Sequence, residues 1–186
     1  MRKIILLVVA VAFSFTTMNA QEKNQGLKGA WWGMGQLEYS STKDVGSSFG
    51  IMPIVGTFVA PTVTVGLGVG YNSTVTIVDG ADDVKANSTT VMPLVRKYWG
   101  VSDKFFIFGQ AAVPFTFAEN TSSFGVSLSP GIDYFIGGKW TLEATFGDIG
   151  YSSTTTNVEG ADDIKSNTTN FGINMMTPKF GIKYLF

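Results

Sequence analysis

The last eight residues, Lys179-Phe180-Gly181-Ile182-Lys183-Tyr184-Leu185-Phe186, alternate strictly in character. Phe180, Ile182, Tyr184 and Phe186 take every second place, with Lys179, Gly181, Lys183 and Leu185 between them. In an extended chain successive side chains point to opposite faces, so each set forms one face of a strand. A strand that is aromatic on one side and basic or small on the other suits a wall between lipid and a polar interior.

The opposite end reads differently. Met1–Ala20 has Arg2 and Lys3, an apolar stretch from Ile4 to Phe15, and a less apolar exit, Thr16-Thr17-Met18-Asn19-Ala20, before Gln21. The apolar stretch is too short for a membrane-spanning helix, which needs about 20 residues, and fits a secretory signal peptide instead. No cysteine follows it, which excludes lipoprotein processing. The expected organisation is therefore a signal peptide over 1–20 and one barrel domain over 21–186. The 22 glycines, 15 phenylalanines and only 15% charged residues leave the chain apolar-rich. Alternating strands of that composition cannot build a large soluble core without a second layer. A barrel turned outward to lipid needs none.

Working back from the C-terminus, eight alternating segments can be traced, with approximate limits 28–40, 46–59, 62–77, 87–99, 104–118, 122–136, 139–153 and 167–186. The clearest sets Val63, Val65, Leu67, Val69 and Tyr71 against Thr64, Gly66, Gly68 and Gly70. Another sets Val126, Leu128, Pro130, Ile132, Tyr134 and Ile136 against Ser127, Ser129, Gly131, Asp133 and Phe135. The expected fold is all-β: an eight-stranded antiparallel up-and-down transmembrane β-barrel. Short connections at 59–62, 99–104 and 136–139 alternate with longer polar ones at 40–46, 78–86 and 154–166, while 118–122 is brief. Outer-membrane barrels have short periplasmic turns and longer outside loops, which puts both termini in the periplasm. Trp31, Trp32, Trp99 and Trp140 fall near the periplasmic ends, where an interfacial aromatic girdle is expected.

The chain also repeats itself. Tyr71–Thr90, YNSTVTIVDGADDVKANSTT, matches Tyr151–Asn170, YSSTTTNVEGADDIKSNTTN, without gaps. Ser47–Ile51 echoes Ser122–Val126 in the same way. A four-strand half used twice accounts for both, supports eight strands independently, and puts the two GADD hairpins on opposite sides of the barrel mouth.

Several stretches resemble the small outer-membrane β-barrel family that includes the OmpX and OmpA membrane domains, the porin-like barrel domains of outer membrane proteins. They are Pro53–Phe58, Val95–Tyr98, Phe108–Gln110, Pro130–Phe135 and the Phe186 terminus. The resemblance spans essentially the whole mature chain but is architectural, marking strands and turns. It implies an integral protein of a Gram-negative outer membrane. Its implied partners are outer-membrane lipid and lipopolysaccharide, the barrel insertion machinery and periplasmic chaperones. It gives no reason to expect nucleic acid, and it leaves the surface ligand open. Phe180, Ile182, Tyr184 and Phe186 are similar to the signal that such proteins present for insertion.

The chemistry is limited by what is missing. Barrel enzymes of this kind resemble one another in placing a histidine beside an acid or serine near the outer rim. Histidine is the side chain whose proton moves readily near neutral pH, and this chain has none. A Ser-His-Asp arrangement is impossible, so neither catalysis nor a cofactor is expected. Two acidic loops, Asp79, Asp82, Asp83 and Glu159, Asp162, Asp163, offer oxygen ligands of the kind hard cations take. Their spacing does not match an EF-hand, and Lys85 and Lys165 compete for the same carboxylates, so a solvated hairpin tip is the favoured reading. Parity assigns Glu38, Arg96, Gln110, Asp133, Glu143, Lys179 and Lys183 to the barrel interior. An interior of eight strands is just wide enough to be filled by side chains, and opposite charges there are expected to pair. The function expected is a structural or surface-interaction role; the alternative is a narrow channel for ions or small solutes. A lipocalin-type soluble barrel would turn its aliphatic face inward and has no use for an outward Phe186.

Overall fold

The computed structural model describes residues 27–186 except 44, 79, 81, 148, 159, 161 and 172–177, so the leader expected over 1–20 lies outside the described residues. Among the described residues there are eleven antiparallel strands: β1 (Trp31–Thr42), β2 (Gly46–Ala60), β3 (Val63–Thr76), β4 (Val84–Gly100), β5 (Phe105–Ala112), β6 (Phe115–Ala118), β7 (Thr121–Gly137), β8 (Trp140–Thr145), β9 (Ile149–Thr156), β10 (Ile164–Asn170) and β11 (Lys179–Leu185). They compose eight staves: two that the alternation suggests as continuous are each broken in two, and the eighth is described as β10 and β11.

Each break has a local reason. Pro114, between β5 and β6, has no N–H to give the ladder; the chain steps there, with Val113 N–H bonding Pro93 O and Gly125 N–H bonding Pro114 O. In the seventh stave, Thr145 pairs Gly131 and Ile149 pairs Leu128. Between these pairs the ladder is interrupted beside Pro130, which has no N–H to give, and Phe146 N–H bonds Pro130 O. In the eighth stave, β10 ends at Asn170, which pairs Gly150, and β11 begins at Lys179, which pairs Thr145. The expected limits at 139–153 and 167–186 are corrected accordingly.

At the end carrying the short turns the sheet closes into a ring, in the order β1-β2-β3-β4-β5-β7-β8-β11 and back to β1. The closing pair runs from Trp32 opposite Leu185 to Gln36 opposite Gly181. Towards the hairpin end the wall continues through β4, β6, β7, β9 and β10. There, among the described residues, Leu37–Thr42 pairs only with β2 and Ile164–Asn170 only with β9.

Period-two alternation decides which residues face lipid. Val65, Leu67 and Val69 of β3 are exposed, while Gly68 and Gly70 are buried between them. Exposed Trp99, Tyr134 and Trp140 ring the short-turn end, and exposed Tyr39, Phe49, Tyr71, Phe124 and Tyr151 ring the wall further up. Two such girdles frame the apolar band of a membrane barrel, about 25 Å tall.

Trp32 departs from the expected girdle. It is completely buried inside the barrel and donates its indole N–H to Thr64 Oγ1 at 2.6 Å. Adjacent strand residues must face opposite ways, so Trp31 and Trp32 could never share the lipid surface. Room for the indole exists because Gly56 and Gly66 lack side chains: a Cβ on Gly56 would collide with the ring, and one on Gly66 would lie 3.2 Å from it.

The sequence repeat is also a repeat of structure. Seven residue pairs of the β3–β4 hairpin, from Gly70 opposite Thr90 to Thr76 opposite Val84, recur in β9–β10 from Gly150 opposite Asn170 to Thr156 opposite Ile164. Both tips turn on a glycine with φ of +79°, Gly80 and Gly160, a conformation that suits glycine. The hairpins stand on the third and fourth and on the seventh and eighth staves, across the mouth from each other.

Candidate functional site

Five of the seven polar residues assigned to the interior meet at one level of the ring. Asp133 and Glu143 are direct register partners on β7 and β8. Two acids side by side on neighbouring strands repel unless cations separate them. Lys183, whose register partner on β8 is Thr141, supplies one cation: its ammonium is in contact with Asp133 Oδ2 and lies 3.6 Å from Glu143 Oε2. Arg96 supplies the other from across the lumen, with Nη1 donating to Glu143 Oε2 at 2.7 Å. Its Nε donates to Gln110 Oε1, also at 2.7 Å.

All four charged groups are 0–2% exposed. A buried charge is tolerated only when paired, and here two cations meet two acids. Aromatic faces add to the cradle: the Arg96 guanidinium lies 5.1 Å from the Trp32 ring and 4.8 Å from the Phe108 ring. Lys183 sits 5.0 Å from the Tyr98 ring and donates to its hydroxyl at 3.2 Å. Around this network Trp32, Met34, Ile54, Phe58, Leu94, Tyr98, Phe108, Ala112 and Leu185 form one apolar cluster. Together they make a floor across the lumen. Among the described residues, three buried polar atoms in it, Arg96 Nη2, Asp133 Oδ1 and Thr141 Oγ1, have no hydrogen-bond partner.

The remaining two residues, Glu38 and Lys179, stand higher. They pair with each other at 3.2 Å, but their side chains are 57% and 59% exposed. They border a cup of about 600 Å³ above the floor, open towards the hairpin end. Its base is Gln110, Ser129 and Thr145; its walls include Met52, Gly70, Met92 and Ser127. A much smaller cavity of about 50 Å³ lies below the floor, bordered by Tyr98, Asp133 and Lys183.

Asp82, Asp83, Asp162 and Asp163 are exposed at the hairpin tips, whereas Asp79 and Glu159 lie outside the described residues. Among the described residues no three acids gather as a metal site would require. Phe180, Ile182 and Phe186 are exposed on the outer face, and Tyr184 stacks between Trp140 and Phe186 with centroids 4.7 and 5.3 Å away. The sequence reading missed the aromatic part of the floor: Trp32, Phe58, Tyr98 and Phe108. Its signal was available at one point, since two adjacent tryptophans on a strand must put one indole inside.

No curated protein matches the chain. Among solved structures, it is similar to the outer membrane protein OprG of Pseudomonas aeruginosa, with 14% identity, a TM-score of 0.51, and 87% of this chain and 98% of that one covered. It is also similar to outer membrane protein W of E. coli, with 14% identity, a TM-score of 0.49, and 86% and 98% covered. At such identities only the fold is shared. The outer membrane protein beta-barrel domain model matches residues 5–176, and the chain belongs to that family.

Proposed function

We propose that this outer-membrane barrel works at its outer face, as a structural and surface-interaction protein rather than as an open pore or an enzyme. The observation that carries the reading is the Arg96–Glu143–Lys183–Asp133 network, which crosses the lumen between the cup and the lower cavity. Each acid there is held by a cation, so neither carboxylate is free to act as acid or base. In this reading the short-turn end and both termini face the periplasm, and the hairpins and cup face outward.

The rival reading is a narrow channel. It is favoured by the fact that the floor's polar groups border both cavities: Asp133 and Lys183 below, Gln110 above. Conductance of the refolded barrel in planar bilayers separates the two. A silent bilayer is the expected result, and a steady open current would overturn the closed floor. Orientation has its own measurement. The chain has no cysteine, so single cysteines at Asp82, Asp162 and Lys139 can be probed on a clean background. On intact cells a membrane-impermeant maleimide should label the first two and spare the third; the opposite pattern would invert the topology.

A further inference from the structure

We propose that the cup is a binding site for a short uncharged saccharide, one or two rings in size. The inference rests on the closed, outward-facing reading above. The volume, about 600 Å³, lies within the range of small-molecule sites, about 300–1,000 Å³.

Charge narrows the class. Among the described residues, the charged side chains lining the cup are Glu38 and Lys179, and they pair with each other at 3.2 Å. The charges beneath them are likewise committed within the floor. An ionic ligand would find no counter-charge there without breaking a pair. An uncharged one meets no such obstacle.

The two sides of the cup differ in kind. On the β2–β4 side lie the thioethers Met52 and Met92. Gly70, on the strand between them, lets Met52 lie against the wall: a Cβ there would fall 2.7 Å from its methyl. On the β5–β7 side lie Gln110, Ser127 and Ser129. Ser129, 8% exposed, puts a hydroxyl on the lining at the base of the cup. Gln110 is oriented by the floor. Because its Oε1 accepts from Arg96, its amide nitrogen is left over as a donor at the base of the cup. A pyranose ring has matching sides, with C–H faces for soft apolar contact and a rim of hydroxyls that both donate and accept.

Methionine methyl resonances give a local readout. The refolded barrel, carbon-13 labelled at methionine methyls and held in lipid nanodiscs, would be titrated with two neutral probes, N,N′-diacetylchitobiose and maltose. Saturable shifts of Met52 and Met92 with at least one of them are expected, while Met34 in the floor stays still. De-acetylated, cationic chitobiose should bind at least ~10-fold more weakly. Ser129→Leu and, separately, Ser127→Leu should each weaken the neutral probe while leaving the Met34 signal in place. Still Met52 and Met92 signals with both neutral probes, or equal binding of the cationic one, would overturn the proposal. A barrel that conducts yet shows the shifts would sink the closed floor and keep the cup; a silent barrel without shifts would sink the cup alone.

Discussion

Glu143→Ala is expected to destabilise the barrel by about 3–5 kcal/mol, the cost of leaving a buried partner charge uncompensated. Glu143 touches both cations of the floor: Arg96 at 2.7 Å and Lys183 at 3.6 Å. Without it, Lys183 still has Asp133, but Arg96 loses its acidic partner and is left with neutral neighbours, Gln110 and the rings of Trp32 and Phe108 among them. The guanidinium cannot move to water, because Trp32 and Phe108 enclose it. A double variant with Arg96→Met and Glu143→Leu should recover much of the loss, since exchanging a whole buried pair for apolar groups of similar size is often neutral. Denaturant titration of the single and double variants in lipid vesicles, followed by tryptophan fluorescence, measures both. A single-variant cost below about 1 kcal/mol, the range of exposed ion pairs, would mean that the floor is wetter than its burial indicates.

Leu67→Arg is expected to cost about 2–4 kcal/mol, and Val63→Arg no more than about 1 kcal/mol. Both positions alternate outward on β3, so face alone cannot separate them. Depth does. Leu67 lies mid-strand between Val55 and Pro93, in the apolar band. Val63 stands beside the short turn, and its register partner is Lys97, whose ammonium donates to the Thr62 hydroxyl. A cation is already accommodated at that level. The same denaturant titration in vesicles checks the pair, and equal costs would show that the lipid band has been placed at the wrong height.

Which way a side chain points was legible in the chain itself, and which side chains meet was not. Alternation is a local property with a period of two, so Val65 and Leu67 outward, Gly68 and Gly70 inward, follow from the strand alone. The count of eight staves followed from the same periodicity together with the GADD repeat, whose two hairpins adopt one register. Parity likewise put Arg96, Asp133, Glu143 and Lys183 on the inner wall. It could not say that Arg96 reaches Glu143 across the lumen, or that Glu38 and Lys179, equally inward, stand above the floor in the open cup. Height in a barrel is set by how far each strand is staggered against the next, and that stagger builds up around the ring rather than along any segment. The interruption between Thr145 and Ile149 also involves a neighbour, because it falls beside Pro130 of another strand. Trp32 lies at the boundary of the two: its inward direction was written beside Trp31, but the space that receives it is made by Gly56 and Gly66 on two other strands, which only the closed ring brings together.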